Sequence, residues 1–195
     1  IINLRDFGEG RHKKIDDTPA GGGEGMILKA NVLSNSISST CEDLDLKDKN
    51  NSLIYLSPKG KKFSQKYAKT LSQKKVITIL CGKFGGIDDR IFKKHKIEEI
   101  SIGDYVLNGG ETACQVIIET VVRLLPDVLG NKKSVEGESF SNGLLEYPRY
   151  TYPKNWDGIK IPEIMISGNH KKISEWKLKK QIEITKKRRP DLWKK

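Results

Sequence analysis

The sequence predicts an α/β fold in which helices flank a parallel sheet. From residue 52 to residue 125, segments with strand character alternate with segments of helical periodicity. The run 76–81 is rich in β-branched residues and shows no polar alternation, which is typical of a central parallel strand. The segment 110–125 repeats apolar residues at helical spacing, and Pro126 ends it. Strands and helices in this alternation favour a parallel sheet.

The first 52 residues show weaker sequence patterns for secondary structure. Residues 1–25 are rich in glycine and charge, which predicts a loop that covers a ligand. Residues 26–35 predict a short helix. Residues 34–52 are polar and rich in Asn and Ser, which predicts a surface loop.

Regular elements follow in order. The predicted strands are 52–57, 76–81 and 99–102, and the predicted helices are 62–73, 87–96, 110–125 and 171–187. Pro58 and Gly60 should stop the first strand. One face of helix 110–125 should be buried, formed by Ala113, Val116, Ile117, Thr120, Val121 and Leu124. We therefore expect a sheet domain at 1–130, a linker at 131–142 and a C-terminal domain at 143–195.

Composition excludes several classes of protein. No apolar run reaches the roughly 20 residues of a membrane span, so we expect no membrane insertion. Cys41, Cys81 and Cys114 are far apart and form no CxxC, which argues against a zinc site or a disulfide framework. We expect reduced thiols and a cytoplasmic location. The chain begins with Ile1, and we expect that residues precede it in the natural protein.

The charge distribution indicates a polyanionic partner. The chain has 36 Lys and Arg against 25 Asp and Glu, a net charge of +11. Residues 168–195 hold eleven of these cations and three of the acids. Such asymmetry favours nucleic acid over membrane. An ordinary solvated, lysine-rich surface is the alternative.

Three loops follow strand-like runs, at 55–58, 81–90 and 102–110. The carboxyl ends of parallel strands meet at one edge of a sheet, so these loops could share one pocket. None contains GxxxxGK[ST], which argues against an ATP phosphate loop. No dinucleotide fingerprint follows a strand, which disfavours an oxidoreductase.

Two of these loops carry a family resemblance. They read SIGDYVLNGGE from Ser101 to Glu111 and CGKFGGIDDR from Cys81 to Arg90. Together they resemble the bacterial tRNA (guanine-N1)-methyltransferases, which are knotted enzymes of the SPOUT class. The resemblance implies a deep trefoil knot, S-adenosylmethionine as cofactor, a homodimer with the active site at the subunit interface, and a small basic helical C-terminal domain. The family's first strand and helix, and the rest of its C-terminal domain, have no counterpart in this sequence.

The same resemblance implies an activity: methylation of N1 of guanosine 37 in tRNA, next to the anticodon. It also implies a set of cofactor-binding residues, namely Leu56, Pro58, Gly82, Ile102, Gly103, Asp104, Tyr105, Val106, Leu107, Gly109 and Gly110. Gly85 stands where the family has a glutamate linked to the cofactor and to Mg²⁺. We therefore predict no metal ligands, and Mg²⁺ remains the open alternative.

Catalytic roles follow from the resemblance as well. Arg123 matches an arginine expected to contact the target guanine, although by itself it is a cation at a helix C-terminus. Guanine N1 carries a proton, so methyl transfer needs a general base. Glu138 falls at the position of the family's aspartate base, and Glu136 is a competitor for that role.

The basic C-terminal helix is expected to bind tRNA phosphates. The candidates are Lys171, Lys172, Lys186, Lys187, Arg188 and Arg189. Two other functions remain open: another knotted RNA methyltransferase that acts on the ribose 2′-oxygen, and a non-catalytic RNA-binding relative.

Overall fold

The computed structural model describes residues 1–40, 48–83, 85–128 and 137–193. The chain divides into two compact units, residues 1–128 and 129–195. The predicted linker 131–142 lies partly outside the described residues, because residues 131–136 are among those not described.

The first unit is a mixed α/β structure. Its elements in chain order are β1 (Asp16–Asp17), β2 (Ile27–Leu28), α1 (Ala30–Thr40), β3 (Asn51–Lys62), α2 (Gln65–Leu71), β4 (Val76–Leu80), α3 (Arg90–Lys94), β5 (Glu98–Ser101) and α4 (Glu111–Val122). The strands β3, β4 and β5 form a parallel sheet in the order β4-β3-β5. The predicted parallel sheet with flanking helices is confirmed.

Alternation along β3 builds two hydrophobic clusters, one on each face of the sheet. Ile54 and Leu56 pack in a cluster with residues of α2 and α4. Leu53 and Tyr55 pack in a cluster with residues of α1 and α3. Because successive strand side chains point to opposite faces, this one strand supplies the centre of both clusters.

The position of β4 differs from the prediction. Within the described residues, β4 pairs with β3 and lies at the edge of the sheet, and β3 is central. Four of the five β4 residues are half-buried, in keeping with an edge position. The β-branched run correctly indicated a parallel strand, but local sequence carries no information on strand order.

The segment from 26 to 40 also differs from the prediction. Residues 27–28 form a strand that pairs with β1, and the helix extends from Ala30 to Thr40, into the predicted surface loop. Leu33 and Ile37 are buried against the sheet, which stabilises the helix despite its Ser and Asn content. The Ser36 and Thr40 hydroxyls donate to main-chain carbonyls one turn earlier, so these polar groups have partners.

Two smaller corrections concern the sheet domain. The strand β3 does not stop at Pro58 but resumes its pairing with β5 after a register shift between Leu56 and Lys61. On α4, Ala113, Ile117 and Val121 are buried as expected, whereas Val116 is exposed. The buried stripe is therefore narrower than the predicted face.

The second unit contains β6 (Asn155–Trp156), β7 (Ile159–Lys160), α5 (His170–Arg188) and α6 (Pro190–Trp193). The predicted basic helix is confirmed as α5. Thr185 is fully buried on α5, where its hydroxyl accepts from Leu145 N at 2.9 Å and donates to Gln181 O at 2.7 Å. Among the helices of the described ranges, none combines the length and apolar character needed to cross a membrane.

Candidate active site

A cavity of about 300 Å³ lies beyond Leu56, Leu80 and Ser101, where the three parallel strands lead into loops. It is lined by residues 55–59, 82–83, 85–87, 100–103, 105–110 and 113. All three loops identified in the sequence, two of which contain glycine, contribute to it. The edge of the sheet at the strand carboxyl ends is the usual ligand site of open parallel sheets.

Main-chain contact joins the second and third loops. Gly110 N donates to Gly82 O at 2.8 Å, and Lys83 forms an isolated bridge with Gly109. A Cβ atom at position 110 would lie 2.9 Å from Cys81 Cα. The two loops therefore approach too closely for any side chain at position 110.

Tyr55 covers the start of the second loop. A Cβ atom on Gly82 would lie 2.8 Å from the Tyr55 hydroxyl, so glycine is required beneath the ring. Burial, with a smaller effect of Glu99 and Asp89, raises the pKa of Tyr55, so the phenol stays protonated at neutral pH. The sequence places Tyr55 in the first of the three predicted pocket loops, but Tyr55 was not among the predicted cofactor-binding residues.

The third loop folds back on itself near Ser101. The Ser101 hydroxyl donates to Gly103 O at 3.0 Å and accepts from Gly103 N at 3.2 Å. The loop then exposes apolar side chains beside the cavity, with 84% of Val106 and 54% of Tyr105 accessible to solvent. Asp104 does not line the cavity, and its carboxylate lies 3.7 Å from Lys62 Nζ.

The strand β2 holds the second loop from the other side. Gly85 N donates to Met26 O at 2.8 Å, and Leu28 N donates to Gly86 O at 3.0 Å. A Cβ atom on Gly85 would lie 3.1 Å from Met26 O, so a larger residue there would require β2 to shift by a few tenths of an ångström. Phe84, in the same loop, lies outside the described residues.

Cys81, next to the cavity, is not an activated nucleophile. Cys81 packs against the hydrophobic cluster on the α4 side of the sheet. Burial first, and then the neighbouring Cys114, raise the pKa of Cys81 to about 12. The thiol is therefore protonated at neutral pH, and the nucleophilic thiolate is scarce. In the described part of the chain, no group of three or more His, Cys, Asp or Glu side chains is placed to hold a metal ion.

The two catalytic candidates lie in different units. Arg123 follows α4 directly, is half-buried, and donates its main-chain N–H to Glu119 O at 3.3 Å. Glu138 is half-buried in the second unit, where its carbonyl accepts from the Ser141 main-chain N–H at 3.2 Å and from the Ser141 hydroxyl at 2.8 Å. Glu136, the competing candidate, lies outside the described residues.

The six basic candidates occupy the two ends of α5. Lys171 and Lys172 lie in its first turn, and the other four lie at and just beyond its last turn; all six are exposed. Two of them already have partners, because Lys186 Nζ lies 4.4 Å from the Trp193 ring centroid and Arg189 pairs with Asp191 at 2.7 Å. The helix separates the two groups by about 21 Å at 1.5 Å per residue.

Known proteins resemble this chain over its whole length. The sequence profile of the family described as tRNA (guanine-1)-methyltransferase TrmD matches residues 1–195. The tRNA (guanine-N(1)-)-methyltransferase of Pelagibacter ubique is 50% identical over 195 residues, which is 100% of this chain and 83% of that protein. The proteins of the same name from Ruegeria pomeroyi and Brucella ovis are 49% and 47% identical, over 98% of this chain and 77% of each relative. The similarity therefore includes every loop that lines the cavity.

Proposed function

The chain belongs to the tRNA (guanine-1)-methyltransferase family, and on that premise we propose that it methylates N1 of guanosine 37 in tRNA, next to the anticodon. A methyltransferase of this family uses S-adenosylmethionine, and tRNA is its substrate. The observation that carries the proposal is the family match over residues 1–195, with relatives near 50% identity. We place the reaction in the cytoplasm, where reduced thiols are the rule.

The cavity suits S-adenosylmethionine. Its volume of about 300 Å³ lies at the lower end of the range for small-molecule sites. Gly82, Gly103 and Gly110 line the cavity without side chains, so a ligand can lie directly against the main chain there, and Leu56 and Pro58 supply an apolar wall for a flat ring. When bound, this cofactor supplies a methyl group made electrophilic by its sulfonium charge. Ile102 to Leu107, together with Gly109, complete the proposed contacts.

We also propose that the second and third loops are part of a trefoil knot. The support is their close main-chain contact, with a 2.8 Å hydrogen bond from Gly110 N to Gly82 O. The absence of a side chain on Gly110 permits that approach. A knot would anchor these loops without a disulfide, so that the cavity keeps its shape before a ligand binds.

Arg123 and Glu138 are the proposed catalytic pair. Guanine N1 must lose a proton as it gains a methyl group, and Glu138 is assigned as the base that takes it. Negative charge then develops towards the guanine O6, and the guanidinium of Arg123 is assigned to stabilise it.

A second copy of the chain is the proposed partner at the cavity. Tyr105, Val106 and Leu107 are exposed beside it, and α4 exposes Val116 and Ile118. Clustered exposed apolar side chains mark interaction surfaces. A homodimer that covers these residues would place the active site at the subunit interface. The C-terminal domain expected at residues 143–195, which contains α5, is assigned to bind tRNA phosphates.

Nucleoside analysis tests the function. The protein is incubated with labelled S-adenosylmethionine and an unmodified tRNA transcript that has guanosine at position 37, and a transcript with adenosine there is the control. The expected product is 1-methylguanosine from the first transcript alone. A 2′-O-methylated nucleoside would show the ribose-modifying reaction instead, and no transfer despite tRNA binding would indicate a non-catalytic relative. Parallel reactions with EDTA and with Mg²⁺ show whether a divalent ion is needed.

A further inference from the structure

The segment from Lys49 to Ile87 is the longest basic feature outside the C-terminal helix. Its 39 residues contain nine lysines and no Asp or Glu. Six of the nine lysines fall between residue 59 and residue 74, at the end of β3 and along α2. This stretch of sequence therefore carries a charge of +9.

The helix α2 separates its apolar and basic residues. Ala68 and Leu71 are buried against the sheet and α4, whereas Lys66 and Lys69 are exposed. At 100° per residue, the two lysines point away from the side on which Ala68 and Leu71 lie. Residues three apart on a helix have Cβ atoms about 5–6 Å from each other, so the two charges are neighbours.

Five lysines follow one another along the sequence, beginning at the edge of the cavity. We define the lysine track as Lys59, Lys61, Lys62, Lys66 and Lys69. Lys59 lines the cavity, and Lys59, Lys61 and Lys62 belong to the last part of β3. All five side chains are exposed. The track therefore runs from the cavity edge onto the outer surface of α2.

The charges of the track are weakly neutralised. Lys59 and Lys62 have carboxylate neighbours at 3.9 Å and 3.7 Å, which are long, exposed ion pairs. Within the described residues, Lys61 and Lys66 have no ion pair. Elsewhere in the first unit, Lys14 and Arg90 pair with carboxylates at 3.0 Å and 2.6 Å. Lys59, Lys61, Lys62 and Lys66 thus keep charge available for an external anion.

We propose that the lysine track binds consecutive phosphates of the tRNA strand that leads to the cavity, an inference that rests on the proposed function. Lysine is a compact charge on a long stem, which suits contact with phosphates of varying position. Phosphate binding releases counterions and fixes the register of the RNA without reading its sequence. The track would then position the target nucleotide, in addition to the phosphate contacts assigned to α5.

A charge-neutral triple variant tests the track. Lys61→Gln, Lys66→Gln and Lys69→Gln are combined in the full chain, at positions that are exposed and so tolerant of substitution. The matched control combines Lys93→Gln, Lys94→Gln and Lys96→Gln. These three lysines are also exposed, and they lie on or beside α3, which packs on the opposite face of the sheet. Both variants therefore lose the same total charge.

The Kd for an unmodified tRNA transcript is measured from about 50 to about 200 mM salt. The track variant should lower the slope of log Kd against log salt by about 2–3 and weaken binding on the order of tenfold, because each lost phosphate contact removes close to one unit of slope. Its KM for tRNA should rise while its affinity for S-adenosylmethionine is unchanged. The control should change the slope by less than about one unit.

Equal slopes for the track variant and the control would overturn the proposal. The methyl-transfer assay on the wild-type chain separates this outcome from failure of the proposed function. If the wild-type chain binds tRNA but transfers no methyl group, the proposed methylation is wrong. The salt slopes still show whether the lysine track binds phosphates. If the wild-type chain does not bind tRNA, both proposals are wrong.

Discussion

Replacing Gly110 by alanine tests whether main-chain contact holds the cavity together. A Cβ atom at this position would lie 2.9 Å from Cys81 Cα and 3.1 Å from Gly82 N. Both atoms belong to the main chain of the neighbouring loop, so no change of rotamer can relieve the overlap. The φ and ψ angles of Gly110, −78° and −9°, suit alanine, so the new residue adds no backbone strain of its own.

Three effects set the size of the change. Overpacking in a close-packed region typically destabilises by about 1–3 kcal/mol. If the loops separate, the 2.8 Å bond from Gly110 N to Gly82 O weakens, which costs about 1 kcal/mol more. Alanine also restricts the unfolded chain, which offsets about 0.4–1 kcal/mol. We expect a net loss of about 1–3 kcal/mol, or about 3–10 °C in the Tm of the first unit.

Scanning calorimetry of the full chain measures this shift, and Gly109→Ala is the matched control. A Cβ atom at position 109 would meet the carboxylate end of the Glu111 side chain, which can rotate away. The control should therefore move the Tm by less than about 2 °C. Equal shifts for the two variants, or an unchanged Tm for Gly110→Ala, would refute the reasoning that the main-chain approach requires glycine.

Three further predictions concern other parts of the chain. Glu138→Gln should slow single-turnover methyl transfer by about 10²–10⁴-fold, whereas Glu138→Asp keeps a carboxylate and much of the rate; a fast Gln variant would exclude Glu138 as the base. Tyr67→Phe removes the 2.5 Å bond to Glu98 and should cost about 0.5–1.5 kcal/mol in urea unfolding. Burial and that bond raise the pKa of Tyr67 above its ordinary value of 10. The bond therefore stabilises the fold fully below about pH 10 and progressively less above it. A stability difference between wild type and Tyr67→Phe that stays constant above about pH 10 would contradict this. Thr185→Val removes a fully buried hydroxyl, leaves the Leu145 N–H without its acceptor and should cost about 1–3 kcal/mol by calorimetry. Thr185→Ser retains the hydroxyl and should remain close to wild type.

Local sequence patterns were sufficient to predict the elements in which one property, such as apolar character or helical periodicity, dominates. The apolar run of β4 and the periodic face of α4 predicted their elements to within a few residues. Three loops after strand-like runs, two of them with glycine, predicted the edge of the sheet at which the cavity forms. These signals depend on spacing along the chain, which a single sequence displays directly.

Features that depend on distant contacts were not predictable in the same way. The helix α1 is rich in Ser and Asn, and it forms because Leu33 and Ile37 are buried against the sheet. Tyr55 lines the cavity because its ring covers Gly82, a contact between residues 27 positions apart. Strand order likewise depends on which strands meet in space. No local propensity encodes such contacts, because tertiary packing overrides weak local preferences.

Main-chain packing explains why residue 85 is a glycine, and this glycine also affects the chemistry of the cavity. Its N–H donates to Met26 O, and a side chain there would meet the same carbonyl at 3.1 Å. The two acids of the second loop, Asp88 and Asp89, each have a cationic neighbour. The Arg90 side chain holds the pKa of Asp88 below its usual value, and the Asp89 carboxylate lies 3.9 Å from Lys59 Nζ. Among the described residues that line the cavity, there is no acid. The close approach of the Met26 carbonyl, next to β2, leaves little room for an acidic side chain at position 85. Main-chain groups, and not carboxylates, are therefore available to hold a ligand in the cavity.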